Sequence, residues 1–361
     1  MSARRPAHGA TAPDRPPVVG LVTQDPAMPS FRLRLAALRP HLAATGFEPR
    51  VIALGRGREW LRVWRLAAAW RASDALLFQQ VKLLAGERAF VARRCDRWVL
   101  DVDDAIMFRR PRQPGDLAST AGWRQRRFHA MARRCRFVVA GSRSLADLIG
   151  DLNGPVTVLP TPVDLAAYPP AELPERDTVR LGWIGLGSNL RYLESLAPVF
   201  VRLRNAGTRF EVRVISDRRP DLKDIPCTLA PWSEASEGRD LAACDVGLAP
   251  LADDLWTRGK AGYRCIQYAA AGLPTVATPV GGQREVVRNG ETGVWAGDPD
   301  AWFAALDRLC ADLALRRRFG SAARAAAARY DLPQFGQRYV ELLRALIEPA
   351  GPKTPSRTET R

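Results

Sequence analysis

Residues 256–282 read WTRGKAGYRCIQYAAAGLPTVATPVGG, a loop, a helix and a strand in succession. The apolar spacing predicts the helix over residues 261–271, and Gly272 is the residue type that ends a helix. Pro274 then opens a short β-branched strand over residues 275–278. A helix that leads directly into a buried strand is typical of an α/β sheet.

The loop before this helix has the composition of an anion-binding site. Arg258 and Lys260 supply positive charge where free backbone N–H groups and the helix dipole also favour an anion. Gly262 lies at the helix start, and Gln267 lies about two turns in, where it can bond a polar group behind a phosphate. The same spacing also fits an ordinary helix–strand unit with a capping glycine, so both interpretations stay open.

The alternation of strands and helices continues outward from this unit. Strands are predicted from short β-branched or apolar runs at residues 18–23, 48–54, 75–80, 97–102, 137–140, 156–159, 179–184, 210–215, 245–248 and 275–278. Further helices are predicted at residues 31–45, 124–134, 190–205, 300–330 and 334–347, with one more between strands 75–80 and 97–102. This alternation predicts an α/β protein with parallel, doubly wound sheets, which bind ligands beyond the carboxyl ends of their strands.

A proline-rich break near residues 160–174 divides the chain into two Rossmann-like units of similar size. We expect the two sheets to face each other across a cleft, which is the expected ligand site. We expect a disordered tail at residues 1–17, a first domain at 18–165 and a second domain at 166–333. A closing helix at 334–347 and a disordered tail at 348–361 are expected to follow.

Composition excludes several classes of protein. No apolar run reaches the ~18 residues of a membrane span, and residues 1–17 lack the apolar core of a secretory signal. The six cysteines include no C-x-x-C pair, and there are three histidines, which disfavours a disulfide scaffold and a zinc site. A cytoplasmic protein is expected.

Positive charge is concentrated in the first half of the chain. Residues 1–160 hold 27 Lys and Arg against 13 Asp and Glu, which accounts for nearly all of the net charge of +16. Such a domain predicts an anionic partner, which could be a nucleic acid, an acidic lipid surface or a phosphorylated substrate. A general arginine bias of the genome is the alternative.

The run QYAAAGLPTVATPVGGQREVVRNGETGVWAGDPDAW, residues 267–302, resembles the donor-binding segment of family 4 glycosyltransferases of the GT-B fold. That family has two glutamates eight positions apart, whereas this chain has Gly259 and Gln267 in those places. A basic subgroup with the run G-K-x-G-[YF]-[KR]-x-x-Q-Y-[MA]-A resembles the chain more closely. The resemblance implies two facing Rossmann-like domains, a closing helix that crosses back to the first domain, and no cofactor.

The resemblance also implies a donor site for a nucleotide-diphosphate sugar. Its predicted residues are Arg191, Arg258, Lys260, Gly262, Tyr263, Gln267, Gly281 and Gly282. The leaving diphosphate would be stabilised by cations and helix N–H groups without a metal.

Two further elements resemble the same subgroup. RWVLDVDDAIM, residues 97–107, matches its D-x-D-D-A-x-[WM] element, with Asp103 where many relatives have a cleft histidine. We predict Asp103 and Asp104 as catalytic and Asp101 as acceptor-binding, because carboxylates at a strand end can orient or polarise a hydroxyl. Binding of a divalent ion, and simple strand-end solvation with helix capping, are the alternatives.

PSFRLR, residues 29–34, matches an S-x-R-x-R element that follows the first strand. We predict Ser30, Arg32 and Arg34 as acceptor-binding. A helix cap by the serine and two ordinary surface arginines are the alternative.

REWLRVWRLAAAW, residues 58–70, has the pattern of an amphipathic helix. Arg58, Arg62 and Arg65 fall on one side and the tryptophans on the other. It could lie on an anionic membrane surface, or pack on the sheet with its basic face in water. A second basic cluster, RQRRFHAMARRCR, follows at residues 124–136.

The resemblance therefore implies a retaining, metal-independent hexosyltransferase. It would move a sugar from a nucleotide-diphosphate sugar to a glycan or lipid-linked acceptor in cell-surface polysaccharide biosynthesis, with a peripheral position on the inner face of the membrane. One alternative is a GT-B relative without transfer activity, or an epimerase. A nucleic-acid-binding protein is less favoured, because the basic half has no known nucleic-acid-binding signature. A dinucleotide site is disfavoured, since Leu190 breaks the G-x-G-x-x-G pattern that begins at Gly185.

Overall fold

The computed structural model describes residues 15–55, 59–93, 97–111, 122–150, 152 and 155–347. Within these residues the strands form two parallel six-stranded sheets, one in each half of the chain. The predicted α/β class with two doubly wound sheets is confirmed. The predicted tail at 348–361 and most of the tail at 1–17 lie outside the described residues, as does Arg58.

The first sheet has the strand order β2-β1-β3-β4-β5-β6. Its strands are Val18–Thr23 (β1), Glu48–Ala53 (β2), Ala75–Gln79 (β3), Trp98–Val102 (β4), Phe137–Ala140 (β5) and Val156–Val158 (β6). The order changes direction between β1 and β3, and such a switch point opens a crevice at the carboxyl ends of the strands.

The second sheet has the order β12-β11-β10-β7-β8-β9 and a switch point between β7 and β10. Its strands are Val179–Ile184 (β7), Phe210–Ser216 (β8), Cys227–Pro231 (β9), Val246–Ala249 (β10), Thr275–Ala277 (β11) and Gly293–Trp295 (β12). Strands β9 and β12 are additional to the predicted ones. The first ends in proline and the second has three residues, so neither gives a clear apolar run.

Helices cover both faces of each sheet. Those of the first domain are Pro29–Phe31 (α1), Ala37–Ala44 (α2), Glu59–Arg71 (α3), Ala85–Ala92 (α4), Gly122–Ala132 (α5) and Arg143–Ile149 (α6), with a π-helical segment at Arg32–Ala36. Those that follow are Leu190–Glu194 (α7), Ala197–Asn205 (α8), Glu237–Ala242 (α9), Tyr263–Ala270 (α10), Gln283–Val286 (α11), Pro299–Ala311 (α12), Leu313–Ala327 (α13) and Leu332–Ile347 (α14). The predicted helix at 190–205 is two helices, because Pro198 starts a new one.

The closing helix α14 packs on the first domain rather than on the second. Phe335, Tyr339 and Leu343 are buried in one apolar cluster with Leu35 and Leu38. The chain therefore returns to its first domain at its end, and the two domains are joined by two crossings.

The two domains approach each other closely. A Cβ at Gly259 would lie 2.3 Å from the Cβ of Ala105, so a side chain larger than glycine has no room there. Glu285 of the second domain accepts hydrogen bonds from the backbone N–H of Arg143 (2.9 Å) and Ser144 (2.8 Å) at the start of α6. A carboxylate at a helix N-terminus is favourable, so this contact also ties the domains together.

Helix α3 corrects the predicted orientation of residues 58–70. The predicted solvated basic face lies partly inward: Arg62 pairs with the buried Glu87 at 2.6 Å, and Arg65 donates to the carbonyl of Leu54 at 2.6 Å. Trp64 instead points outward and is 71% exposed. The reason is a buried carboxylate on the neighbouring helix α4, which the sequence pattern of α3 does not reveal. Within the described residues, no helix is both long enough and apolar enough to cross a membrane.

Candidate active site in the interdomain cleft

A pocket of about 410 Å³ lies between the domains, at the carboxyl ends of both sheets. The first domain contributes the segments after β1, β3 and β4, and the second contributes those after β7, β9 and β10 together with the start of α10. Of the predicted site residues, the pocket is lined by Ser30, Arg32, Asp103, Asp104, Lys260, Gly262, Tyr263 and Gln267. The structure therefore brings predicted residues from both domains to one place.

Interlocked glycine turns shape the start of α10. Gly262 has a φ of 75°, in the left-handed region, and a Cβ there would lie 2.8 Å from the carbonyl carbon of Gly282. The N–H of Gly282 donates to the carbonyl of Lys260 at 2.8 Å. Gly281 and Gly282 do not line the pocket. They hold the Lys260 loop against the helix start, and their contact with the donor stays a prediction.

Lys260 is the cation of this loop that reaches the pocket. Its Nζ lies 3.5 Å from the Oδ1 of Asp104, and 6.0 Å from the centre of the Trp256 ring. The cation of the second domain thus meets a carboxylate of the first across the cleft. At this distance the pair is loose enough for a more strongly charged anion to compete for the lysine.

Two predicted donor contacts lie elsewhere. Arg258 is exposed and pairs with Asp253 at 2.6 Å, outside the pocket lining. Arg191 donates to the carbonyl of Pro111 at 2.9 Å and lies against the Tyr192 ring, also outside the lining. The structure thus places neither guanidinium in the pocket lining, and their contact with the donor stays a prediction.

Gln267 belongs to a buried polar chain at another wall of the pocket. Its Nε2 donates to the hydroxyl of Tyr168 at 3.0 Å, and that hydroxyl donates to Glu237 Oε1 at 2.6 Å. The indole N–H of Trp232 donates to the other carboxylate oxygen of Glu237 at 2.8 Å. Burial raises the pKa of Tyr168, so its hydroxyl stays protonated and keeps the chain in one arrangement. This wall offers aromatic surface and fixed hydrogen-bonding groups, as a nucleoside requires.

On the opposite wall, Asp103 is held by two glutamines. Gln80 and Gln79 donate their side-chain amides to Asp103 Oδ1, and Gln80 has a φ of 53° in the left-handed region. Burial, and then the charge of Asp104, raises the pKa of Asp103 to about 7. A carboxylate with a pKa near neutrality can exchange a proton with a hydroxyl, and strained backbone is typical of functional sites.

Arg32 connects the two walls. It pairs with Glu234 of the second domain at 2.7 Å and lies over the Trp232 ring at 5.2 Å. Ser30 lines the pocket beside it. Met28 is the helix N-cap, so the alternative that Ser30 caps the helix is wrong.

Arg34 and Asp101 are not in the pocket. Both side chains are fully buried and pair with each other through Arg34 Nε and Asp101 Oδ1 at 2.7 Å. Their predicted acceptor-binding role is corrected, because groups with no accessible surface cannot contact an acceptor. They support the base of the site instead.

Sequence reasoning missed several residues that line the pocket. They include Gln80, Arg110, Glu237 and Arg264. Arg264 lies within the basic run that resembles the subgroup, so that run could have identified it as a candidate site residue. Gln80 and Glu237 carried no motif. In the described part of the chain, no group of three or more His, Cys, Asp and Glu side chains is arranged to hold a metal ion.

Comparisons with known proteins agree with this architecture. Residues 178–312 match the family "Glycosyl transferases group 1". A D-inositol 3-phosphate glycosyltransferase of Corynebacterium urealyticum is 34% identical over 106 residues, which is 29% of this chain and 24% of that protein. The match with this curated relative thus spans about a quarter of its length.

Solved structures match the whole two-domain arrangement. A sucrose-phosphate synthase from Thermosynechococcus elongatus has a TM-score of 0.73 at 15% identity, and the match covers 91% of this chain and 99% of that one. HepE of Anabaena, solved with UDP and glucose, has a TM-score of 0.66 at 14% identity with the same coverage. A glycosyltransferase from Rickettsia africae has a TM-score of 0.69 at 12% identity, over 93% of this chain and 100% of that one.

At such identities the structural matches establish the fold, and the family match adds a similarity that is confined to residues 178–312. The chain therefore has the GT-B fold, and its residues 178–312 are similar to the group 1 glycosyltransferases.

Proposed function

We propose that the protein is a retaining glycosyltransferase that moves a hexosyl group from a nucleoside-diphosphate sugar to a hydroxyl of a glycan or lipid-linked acceptor, in the assembly of a cell-surface polysaccharide. The observation that carries the proposal is the pocket between the domains. One wall presents Lys260 and the start of α10, and the other presents Asp103 and Asp104. A donor with an anionic leaving group and a hydroxyl acceptor fit these two walls.

The second domain suits the donor. Cleavage of the sugar–phosphate bond builds negative charge on the departing diphosphate, and fixed cations and helix N–H groups stabilise that charge. Lys260 and the N-terminus of α10 lie together in the pocket and would stabilise the charge of the diphosphate. Gln267 and the buried polar chain would bind the ribose and the base. The protein supplies this charge stabilisation by itself, so the proposal includes no metal and no cofactor. Binding of UDP and glucose by HepE supports a nucleotide-sugar donor.

The first domain suits the acceptor. Asp103, with its pKa near 7, would orient the acceptor hydroxyl and take up its proton, and Asp104 would add a second carboxylate beside it. Ser30 and Arg32 lie on the same side of the pocket. No protein nucleophile is assigned, because no side chain of the described pocket lining stands out as one.

A nucleotide screen tests the donor proposal. A nucleoside diphosphate at about 100 times its Kd is expected to stabilise the folded chain by about 2.7 kcal/mol, which raises the melting temperature measurably. UDP, GDP, ADP and their sugar conjugates form the panel, and NMR of the released sugar or product reports whether the anomeric configuration is retained. The proposal is wrong if no nucleotide raises the melting temperature and no conjugate is cleaved.

The contact at Gly259 supports a second candidate function. The related family has a glutamate at that position, but here Ala105 occupies the space that a side chain would need. The absence of this glutamate would fit a GT-B relative that binds a nucleotide sugar without transferring it, or an epimerase. Nucleotide binding without cleavage of any conjugate, or with conversion of the bound sugar to its epimer, would favour this candidate.

We also propose that the outer face of α3 and α5 lies on an anionic membrane surface. Trp64 and Trp123 are 71% and 54% exposed there, and Arg126, Arg133 and Arg134 are exposed on or beside α5. Exposed tryptophan together with arginine suits an anionic interface. The chain is expected to sediment with phosphatidylglycerol vesicles and to lose most of that binding in a Trp64→Ser, Trp123→Ser variant. Equal binding to phosphatidylcholine vesicles, or an unaffected variant, would contradict this.

A further inference from the structure

The guanidinium of Arg264 lies in the pocket without a carboxylate partner. Among the described residues, no Asp or Glu oxygen lies within 4 Å of it. Two ionisable neighbours, Tyr268 and Cys265, are buried, which raises their pKa values, so neither carries a negative charge at pH 7. Burial lowers the pKa of Arg264, although an arginine keeps its charge at neutral pH. The positive charge is therefore uncompensated within the described protein.

Other cations of the pocket differ in this respect. Arg32 is neutralised by Glu234 at 2.7 Å, and Lys260 lies 3.5 Å from Asp104. Arg110 is exposed and donates to Ser188 and Asn189 across the cleft. An arginine that is both partly buried and without a counter-ion in the protein costs free energy, and an anionic ligand would recover that cost.

Two contacts fix the orientation of Arg264. Its Nε donates to the carbonyl of Ile184, the last residue of β7, at 2.6 Å. Its guanidinium lies 4.6 Å from the centre of the Trp183 ring. Because Nε makes the hydrogen bond to Ile184, the N–H groups of the two terminal nitrogens remain available to another partner.

The backbone makes room for this arrangement. A Cβ at Gly185 would lie 2.8 Å from Arg264 Nη2, so glycine lets the guanidinium reach the end of β7. The residue also lies in the first turn of α10, whose N-terminus favours an anion. Arg264, Lys260 and the helix start thus bring positive charge to one place, next to the switch point of the second sheet.

We propose that Arg264 is a specificity-determining residue that binds the diphosphate of the nucleotide through its two terminal nitrogens. This rests on the proposed function, because it takes the ligand to be a nucleoside diphosphate. Planar, bidentate pairing with phosphate oxygens is what a guanidinium offers and an ammonium does not. Arg264 therefore makes the pocket prefer a nucleoside diphosphate over the bare nucleoside, in place of the predicted Arg191 and Arg258.

The test compares UDP with uridine in titration calorimetry and ligand-observed NMR, with GDP and guanosine in parallel. Arg264→Gln is expected to raise the Kd for the diphosphate by about 10- to 100-fold, as expected for loss of hydrogen bonds to a charged group. The Kd for the nucleoside is expected to stay within twofold. Arg264→Lys keeps the positive charge but cannot form the planar, bidentate pair with phosphate. It is expected to raise the Kd for the diphosphate by an intermediate factor.

Arg202→Gln is the matched control. Arg202 also lies in the second domain and stacks on an aromatic ring, Phe303, at 4.7 Å, but it pairs with the exposed Asp300 outside the pocket. Its variant is expected to bind both ligands as the parent does.

The outcomes separate this inference from the proposed function. If Arg264→Gln binds the diphosphate within threefold of the parent, or loses diphosphate and nucleoside equally, the assignment of Arg264 is overturned while nucleotide binding stands. If Arg264→Gln does not fold, Arg264→Lys decides by the same comparison, with a loss of at least threefold for the diphosphate alone as support. Failure of the parent chain to bind any nucleotide contradicts the proposed function instead.

Discussion

Replacing Arg34 with alanine is expected to lower the free energy of unfolding by about 3–5 kcal/mol, because it leaves Asp101 as an uncompensated buried charge. Both side chains are fully buried, and the guanidinium meets the carboxylate through two hydrogen bonds, of 2.7 and 2.8 Å. It also donates to the Thr161 hydroxyl at 3.1 Å and to the Leu159 carbonyl at 3.0 Å. All of these partners lose a donor when the arginine is removed.

Urea denaturation, monitored by fluorescence, measures this loss of stability. Two further variants show whether the loss comes from the buried charge of Asp101. Arg50→Ala removes an exposed pair with Glu48 in the same domain and is expected to cost less than about 1 kcal/mol. The double variant Arg34→Met, Asp101→Leu removes both charges and is expected to recover much of the stability. An Arg34→Ala chain within about 1 kcal/mol of the parent would contradict the assigned role.

The same pair connects the stability of the fold to the position of the site. Asp101 is the last but one residue of β4 and precedes Asp103 by two residues, and its carboxylate also accepts a hydrogen bond from the Tyr339 hydroxyl of α14. Thr161 and Leu159 lie where the chain leaves the first domain. The pair therefore joins the segment after β1, the loop after β4 that carries Asp103, and the closing helix, and its loss is expected to loosen Asp103 as well.

Local patterns were sufficient for most of the fold. Runs such as VVGLVT and FEVRVI are rich in apolar and β-branched residues because parallel strands are covered on both faces, and the structure places strands there. Strand β9 escaped prediction because it lies at the edge of its sheet, where CTLAP need not be uniformly apolar. Local sequence thus predicts central strands better than edge strands.

The part of the candidate site that one short stretch of sequence forms was predictable. The part that depends on contacts between side chains far apart in the sequence was less predictable. The helix start with Lys260 and Gly262 is local, and it lines the pocket as the motif indicates. Arg34 and Asp101 are polar residues in equally suggestive motifs, yet their 67-residue separation hid the fact that they neutralise each other. Arg264 reaches a carbonyl 80 residues away, at Ile184. Sequence patterns identify candidate charges, but only the fold decides which remain free for a ligand.

Replacing Lys260 with alanine is expected to lower the rate of donor cleavage or transfer by about 10²- to 10³-fold, the usual cost of losing one group that stabilises charge in a transition state. Lys260 lies at the start of α10 and faces Asp104 across the cleft. Its charge matters most when the sugar–phosphate bond breaks and charge collects on the diphosphate. The effect should therefore appear in kcat, measured with a saturating nucleotide sugar.

The comparison with Arg264 sharpens this expectation. Arg264 is held in place by its contacts with Ile184 and Trp183, so it should act mainly on nucleotide affinity, whereas Lys260 should act mainly on turnover. Lys223→Ala removes an exposed lysine of the second domain and should leave both quantities unchanged. A Lys260→Ala enzyme with kcat within threefold of the parent would show that the α10 start binds the diphosphate without assisting its departure. The charge that drives cleavage would then have to come from Arg264 and the helix N–H groups alone.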